Sequence, residues 1–557
     1  MSSLPGRVQA MAATAVALAA AGLLAACGSS TANSSSGPSG VVTGTFGNTA
    51  PFAADFNPYS PSALDPTYGM IYEPLMFFDT AKAGVVQPWL ATKYSWSDGG
   101  RSITFQLRHG VKWNDGKPFT SADVAFTFNN EKSDSALDNY GLPIAGATTS
   151  GPYSVTINFT QPVYTDLYYI AGKIDILPQH IWSKVTNPTT WTDPHPVGTG
   201  AYMVNSVSPQ VLELTANPHY YLPGLPKIKT YRFLTYSGNT TADAAIIDGN
   251  VDWAGGFIPN INKTYVDKSS KNSLVDLPLA VDFLIPNMVK GPTASLAVRQ
   301  AISDAIDRSY ISQSVYNGYA PPSDPEGLLM PNFASIASPA AASDSFGGAN
   351  PAESKHILEA AGYRLGSNGI FVSKSGAPLD INIKVVQGYT DYISILQILQ
   401  SELKAAGINM TYTQEAYSVW SADQDTGNFQ LLISNAGYTP IPYSYYYSLI
   451  DSAVTKPIGT SESIGDYGRY NNPTVNKLLA TIAGTTNPAA QNPAFYQIES
   501  IFKKQLPDIT LFAAQDEIEF DGNVVTGEPT KSDPYAGAAI WLSPDNGWVA
   551  ARLKPVS

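Results

Sequence analysis

The chain has 557 residues, of which 44% are apolar and 14% charged, and its 45 acidic and 32 basic side chains leave a formal net charge of −13. That balance describes a core-rich globular protein rather than a disordered one. With no basic run to neutralise phosphates, it excludes nucleic acid as a partner.

In chain order, the first feature is a leader. Arg7 is the only charge in residues 1–26, and an Ala-rich apolar run fills residues 11–26. This pattern predicts a secretory signal peptide over residues 1–26. The run is too short and too rich in small residues for a permanent spanning helix, which needs about 20 strongly apolar positions. It ends in Leu24-Ala25-Ala26-Cys27-Gly28, which resembles a bacterial lipobox. Cys27 is then the lipidation site, and lipid holds the mature chain on the outer face of the cell membrane, each buried methylene contributing about 0.8 kcal/mol. Cys27 is the only cysteine, which excludes an internal disulfide and a cysteine-based structural zinc site. Residues 27–40 are rich in Ser, Gly and Asn and read as the lipidated Cys with a flexible tether. The folded part begins near Val41.

Ile103, Phe105 and Leu107 alternate with polar residues and predict a half-buried strand. Asn114-Asp115-Gly116 is a turn signal. Thr120 and Asp123 form a capping box for a helix carrying Val124, Ala125 and Phe128. Asn350-Pro351 opens a second helix, which Gly362 ends. Asp391 is the expected cap of a third, with Ile393, Leu396, Leu399, Leu403 and Ala406 on one face and Gly407 as its stop. Asn492-Pro493 opens a fourth, ending before Pro507, and residues 509–512 read as a strand. There is no internal repeat and no sustained heptad. The pattern is that of a mixed α/β to α+β fold in several units.

Chemistry is sparse. The chain carries no phosphate-binding loop, no Gly-x-Ser-x-Gly elbow and no His-Glu-x-x-His. The five histidines, at 109, 180, 195, 219 and 356, are scattered and read as surface or packing residues. Asp516, Glu517, Glu519 and Asp521 form a close acidic group that reads as a solvated edge. No catalytic residue, metal site or cofactor is indicated, so the chain is not expected to be an enzyme. The alternative is a secreted glycoside- or peptide-processing enzyme with two distant carboxylates, or an adhesin.

A long motif carries a family resemblance. Gln87-Pro88-Trp89-Leu90-Ala91 leads to Phe105-Gln106-Leu107-Arg108-His109-Gly110-Val111-Lys112-Trp113-Asn114-Asp115-Gly116-Lys117-Pro118-Phe119-Thr120-Ser121-Ala122-Asp123-Val124. Further matches are Pro196-Val197-Gly198-Thr199-Gly200-Ala201-Tyr202, Asn217-Pro218-His219-Tyr220-Tyr221, residues 298–308 and Tyr470-Asn471-Asn472-Pro473. The chain resembles the family 5 bacterial solute-binding proteins over its whole mature length. Gly110, Gly116 and Gly198 suit turns, and Trp113 and Phe119 suit a core, so these motif residues read as structural. The resemblance implies a two-lobed periplasmic-binding-protein-like fold (type II, cluster C) with an inserted domain and two hinge crossovers. Mapped here, residues 41–72, 197–276 and 521–557 form the core of lobe 1. Residues 73–196 form its inserted second domain, and residues 277–520 form lobe 2. The crossovers fall near 277–283 and 512–520. The implied function is capture of a short oligosaccharide or oligopeptide between the lobes and delivery to the permease of an ABC importer, by a monomer.

The resemblance also bears on the ligand. Peptide binders of this family place an Asp shortly after a Gly-Trp pair, facing the peptide ammonium. The matching stretch here, residues 435–447, contains no acid, which speaks against a free peptide N-terminus. Residues 252–261 and 56–61 are similar to segments of the cellobiose-type members. Sugars need flat apolar faces and oriented hydrogen bonds, which Trp and Tyr supply. Trp253, just past a turn at Asp248-Gly249-Asn250, is therefore a candidate contact, with core packing as its alternative. Phe257, Tyr438 and Tyr443 complete the candidate ligand-binding set, although consecutive tyrosines over 443–447 cannot all face one cleft.

Overall fold

Two long strands, Asn272–Pro286 and Ile509–Asp521, organise the molecule. They belong to a computed structural model that describes residues 40–47, 51–461 and 465–556, the side chains of Gln515 and Asp516 excepted. The signal segment, Cys27 and nearly all of the tether lie outside the described residues. The two strands pair antiparallel from Asn272 opposite Asp521 to Leu284 opposite Ile509, with register shifts between Pro278 and Ala280 and between Val281 and Phe283.

These strands are the centre of one ten-stranded sheet. On one side of the shifts, Ile509–Asp521 is central, flanked by Asn272–Pro286 and by Trp253–Gly255. The sheet then continues through Val41–Gly44, Thr230–Leu234, Val211–Ala216 and Tyr202–Val207. On the other side Asn272–Pro286 becomes central, pairing with Leu431–Gly437, beyond which lie Asp380–Val386 and Asn409–Glu415 in parallel. The sequence suits this exchange of roles. Residues 279–286 are a continuous run buried on both faces, as a central strand requires, whereas residues 272–278 are half-exposed. Each end of the sheet carries its own apolar core, one around Tyr202, Tyr231, Trp253 and Phe520, the other around Leu284, Ile383, Leu399 and Ile433. The result is the expected two-lobed α/β architecture.

A separate four-stranded sheet is built from Ala91–Ser97, Ser102–Leu107, Ser154–Phe159 and Ile144–Thr149. The helix Ser121–Ser133 covers it and is opened by the expected capping box of Thr120 and Asp123. Trp113 and Phe119 lie in this sheet's core, as the motif reading requires.

Three local expectations need correction. The fourth helix spans Pro488–Gln505 and is capped by Asn487, whose side chain accepts from the Ala489 N–H. Asn487-Pro488 repeats the Asn-Pro start signal upstream of Asn492-Pro493, so Pro493 sits inside the helix. Asp391 does not cap the third helix, which spans Thr390–Ala405; Tyr389 holds the cap position without a side-chain bond. Glu517 and Glu519 are not on a solvated edge. Their strand is interior to the sheet, its two-residue period puts both on one inward face, and they are 8% and 1% exposed.

Candidate functional site

A cavity of about 530 Å³ lies where the two halves of the sheet meet. Lobe 1 contributes Phe46, Gly255, Gly256, Phe257 and Trp541. Tyr389, Asp391, Tyr392, Tyr417, Trp420 and Tyr438 also line it, and the long strands supply Asp282 and Glu517. The position follows from topology. Strand Asp380–Val386 delivers the chain to the N-terminus of helix Thr390–Ala405, and the crevice at the carboxyl ends of parallel strands is where open α/β sheets hold ligands.

Aromatic faces dominate the walls. Ten of the described lining residues are aromatic. Phe257 meets Tyr316 edge-on at 5.6 Å, and Tyr417 lies 6.2 Å from Trp420 at a 31° tilt. Trp420 is 7% exposed, and its indole Nε1–H is buried without a hydrogen-bond partner. Gly255 has a steric role: a Cβ there would stand 2.3 Å from the Trp541 ring, so only glycine lets that indole lie against the strand.

The polar groups are acidic. Asp65, Asp282, Asp391 and Glu517 line the cavity, and among its described lining residues there is no Lys, Arg or His. The Tyr392 hydroxyl donates to Asp282 Oδ1 at 2.7 Å. Burial pushes the Asp391 carboxyl up to about 6, against backbone N–H groups that favour its charged form. Burial also pushes Glu517 well above the ordinary carboxylate range, and the neighbouring carboxylates of Asp276, Asp391 and Asp243 add to the rise. Such a lining repels anions and admits neutral or cationic groups.

Of the candidate contacts, Phe257 and Tyr438 line the cavity and two others do not. Trp253 is fully buried in the core of lobe 1. Its Nε1–H donates to the Ala538 carbonyl at 3.0 Å, and its ring stacks on Phe520 at 5.7 Å. The segment borders the cavity only from the end of the short strand onward, through Gly255, Gly256 and Phe257. Tyr443 lies in helix Pro442–Ile450, packed into lobe 2 and stacked on Tyr447 at 5.6 Å. Tyr438 has a φ of 54°. Its N–H donates to the Leu279 carbonyl at 2.8 Å, beside the register shift, and its carbonyl accepts from the Tyr168 hydroxyl. The acid-free stretch 435–447 does not leave the cavity without acids, since they arrive from other elements. Asp391 carried a signal in the Tyr389-Thr390-Asp391-Tyr392 cluster at a helix start, and Glu517 carried one in its spacing from Glu519. Trp420 carried none beyond being a Trp.

Residues 85–456 match the family model described as bacterial extracellular solute-binding proteins, family 5 Middle. A Brucella ovis protein described provisionally as an ABC transporter peptide-binding protein is 26% identical over 480 residues, covering 83% of this chain and 85% of its own. Among solved structures, a mannohexaose-bound periplasmic oligopeptide-binding protein of an ABC transporter from Thermotoga maritima superposes with a TM-score of 0.83 at 24% identity, covering 93% of this chain and 98% of that one. The oligopeptide-binding protein of Bacillus subtilis in complex with a nonapeptide superposes with a TM-score of 0.76 at 20% identity, covering 93% and 100%.

Proposed function

Because the chain belongs to the family 5 bacterial extracellular solute-binding proteins, we propose that its cleft captures a short oligosaccharide for an ABC importer. Membership makes it an extracytoplasmic solute-binding protein that serves such an importer; the family consists of transport proteins rather than enzymes. The observation that carries the oligosaccharide reading is a cavity walled by ten aromatic residues with no cation among its described lining residues. Aromatic faces stack on sugar rings, while Trp420 Nε1, Ser434, Asn435 and the carboxylates supply oriented hydrogen bonds. A free peptide would bring a carboxylate that finds no cation there, and unpaired burial of that charge is costly.

An oligopeptide is the second reading, favoured by the four acids that can receive an ammonium. Calorimetry with cello-, laminari-, xylo- and manno-oligosaccharides beside di- to pentapeptides separates the two. The sugar reading expects saturable 1:1 heat with at least one oligosaccharide series and none with peptides. Tight peptide binding without sugar heat would replace it with the second reading.

Closure completes the proposal. Residues 41–72, 197–276 and 521–557 act as the core of one lobe and 277–520 as the other, with 73–196 riding on the first. Bending is placed near 277–283 and 512–520, supported by the register shifts at Pro278/Ala280 and Val281/Phe283. Hinge closure over ligand is an established mode of domain motion. The monomer is tethered by lipid on Cys27. Replacing Cys27 with Ala should release mature protein into the medium or leave uncleaved precursor, read by membrane fractionation; unchanged fractionation and maturation would remove the anchor.

A further inference from the structure

We propose that the captured solute carries a protonated amine on a sugar ring, so that the cleft takes a cationic oligosaccharide, of the β-linked glucosamine type, in preference to a neutral one. This rests on the oligosaccharide reading of the cleft.

Glu517 and Asp391 each keep one carboxyl oxygen without a hydrogen-bond partner, although the Tyr319 hydroxyl supports the charged form of Glu517 and backbone N–H groups bond Asp391. Glu517 lines the cavity, is 8% exposed, and its Oε2 has no hydrogen-bond partner. Asp391 is half-buried, and its Oδ1 atom is likewise buried and unpartnered. Around Glu517 stand Asp276, Asp391 and Asp243, with the Tyr319 hydroxyl alongside, and Glu519 follows on the same strand face. The cation seen on these acids is Lys531, which is engaged with Asp276 at 3.2 Å and is 70% exposed. A buried carboxylate group without a cation is held against its desolvation penalty, and an ammonium placed between Glu517 and Asp391 would relieve it.

The same walls explain why the amine should sit on a sugar. Tyr389, Tyr417 and Trp420 border the Asp391 side of the cavity, and aromatic faces attract a cation as well as a pyranose ring. An acidic sugar would meet repulsion from the ionised carboxylates, and a neutral sugar would offer them no counter-charge. Charge matching also has a proton signature. Burial holds Asp391 at about 6 and Glu517 well above the ordinary range, so at or below about pH 6 the empty cleft holds protons that an arriving ammonium must displace. Binding of the amine therefore releases protons, and affinity rises with pH through 6 until the amine itself deprotonates.

The test compares three tetramers with one β-1,4 backbone on the mature protein at pH 7: the glucosamine, N-acetylglucosamine and glucose tetramers. The expected result is at least about tenfold tighter binding of the glucosamine tetramer, a difference near 1.4 kcal/mol. Calorimetry repeated at pH 6 in buffers of different ionisation heat should show proton release for that tetramer alone. Glu517→Gln and Asp391→Asn should each abolish the preference while keeping the parent's melting temperature to within a few degrees; using both guards against one failing to fold. Equal or weaker binding of the glucosamine tetramer, or a preference unchanged in both variants, overturns the proposal and leaves the oligosaccharide reading standing. No heat with any of the three tetramers, whether or not peptides bind, overturns the proposal; peptide heat in that case removes the oligosaccharide reading with it.

Discussion

Trp253→Ala lowers the stability of the folded chain by about 3–5 kcal/mol, the range for truncating a buried Trp. Three contacts set that size. The indole is fully buried, stacks on Phe520 at 5.7 Å, and meets Tyr231 at 6.0 Å. Its Nε1–H also holds the Ala538 carbonyl at 3.0 Å, and leaving that acceptor unpaired in the core adds to the loss. Affinity per folded molecule, measured by calorimetry with the tightest oligosaccharide of the panel, should stay within about twofold, since Trp253 is absent from the cavity wall. Denaturant unfolding reads the first effect. If Trp253→Ala proves too unstable to purify, Trp253→Phe keeps the stacking face and removes only the donor. Parent-like stability with abolished binding would return Trp253 to the ligand site.

Trp420→Ala has the opposite signature. The side chain lines the cavity and carries an unpartnered Nε1–H, so its removal takes away a stacking face and a donor together. A large aromatic contributes about 1.5–3 kcal/mol by burial, which corresponds to roughly 10- to 150-fold in dissociation constant. Trp420 also packs in the lobe 2 core, so some stability is lost as well. Trp420→Phe is the control: it retains the face, loses the donor, and should fall between parent and Ala. Unchanged affinity in Trp420→Ala would mean that the ligand does not reach this wall.

The parts of the fold that were legible in the sequence are those settled within a few residues. Thr120 and Asp123 close a capping box, Asn350 caps Pro351–Ala360, and the alternation of Ile103, Phe105 and Leu107 marks the strand Ser102–Leu107. The parts that were not depend on neighbours distant in the chain. Glu517 and Glu519 are buried because residues 253–255 and 272–276 flank their strand, which no local pattern reveals. Trp253 resembled a cleft residue because its segment does reach the cavity, but the strand ends at Gly255, and only Gly255 and the residues just past it border the cavity while Trp253 stays in the core. Tyr438, expected from the family resemblance, lines the cavity, whereas Trp420 and Asp391 reach it only because helices starting at 417 and 390 are brought against one crevice. A local acid-free stretch was likewise a poor guide to the charge of a cavity assembled from many separate segments.

The central claim is capture of an oligosaccharide without turnover, and native mass spectrometry of the protein purified from its own host tests it most directly. The account predicts one noncovalent ligand per chain, with a mass built from sugar units, released on unfolding and of unchanged mass after prolonged incubation with the protein. A ligand whose mass resolves into amino-acid residues, or a sugar converted to smaller products during that incubation, would contradict it.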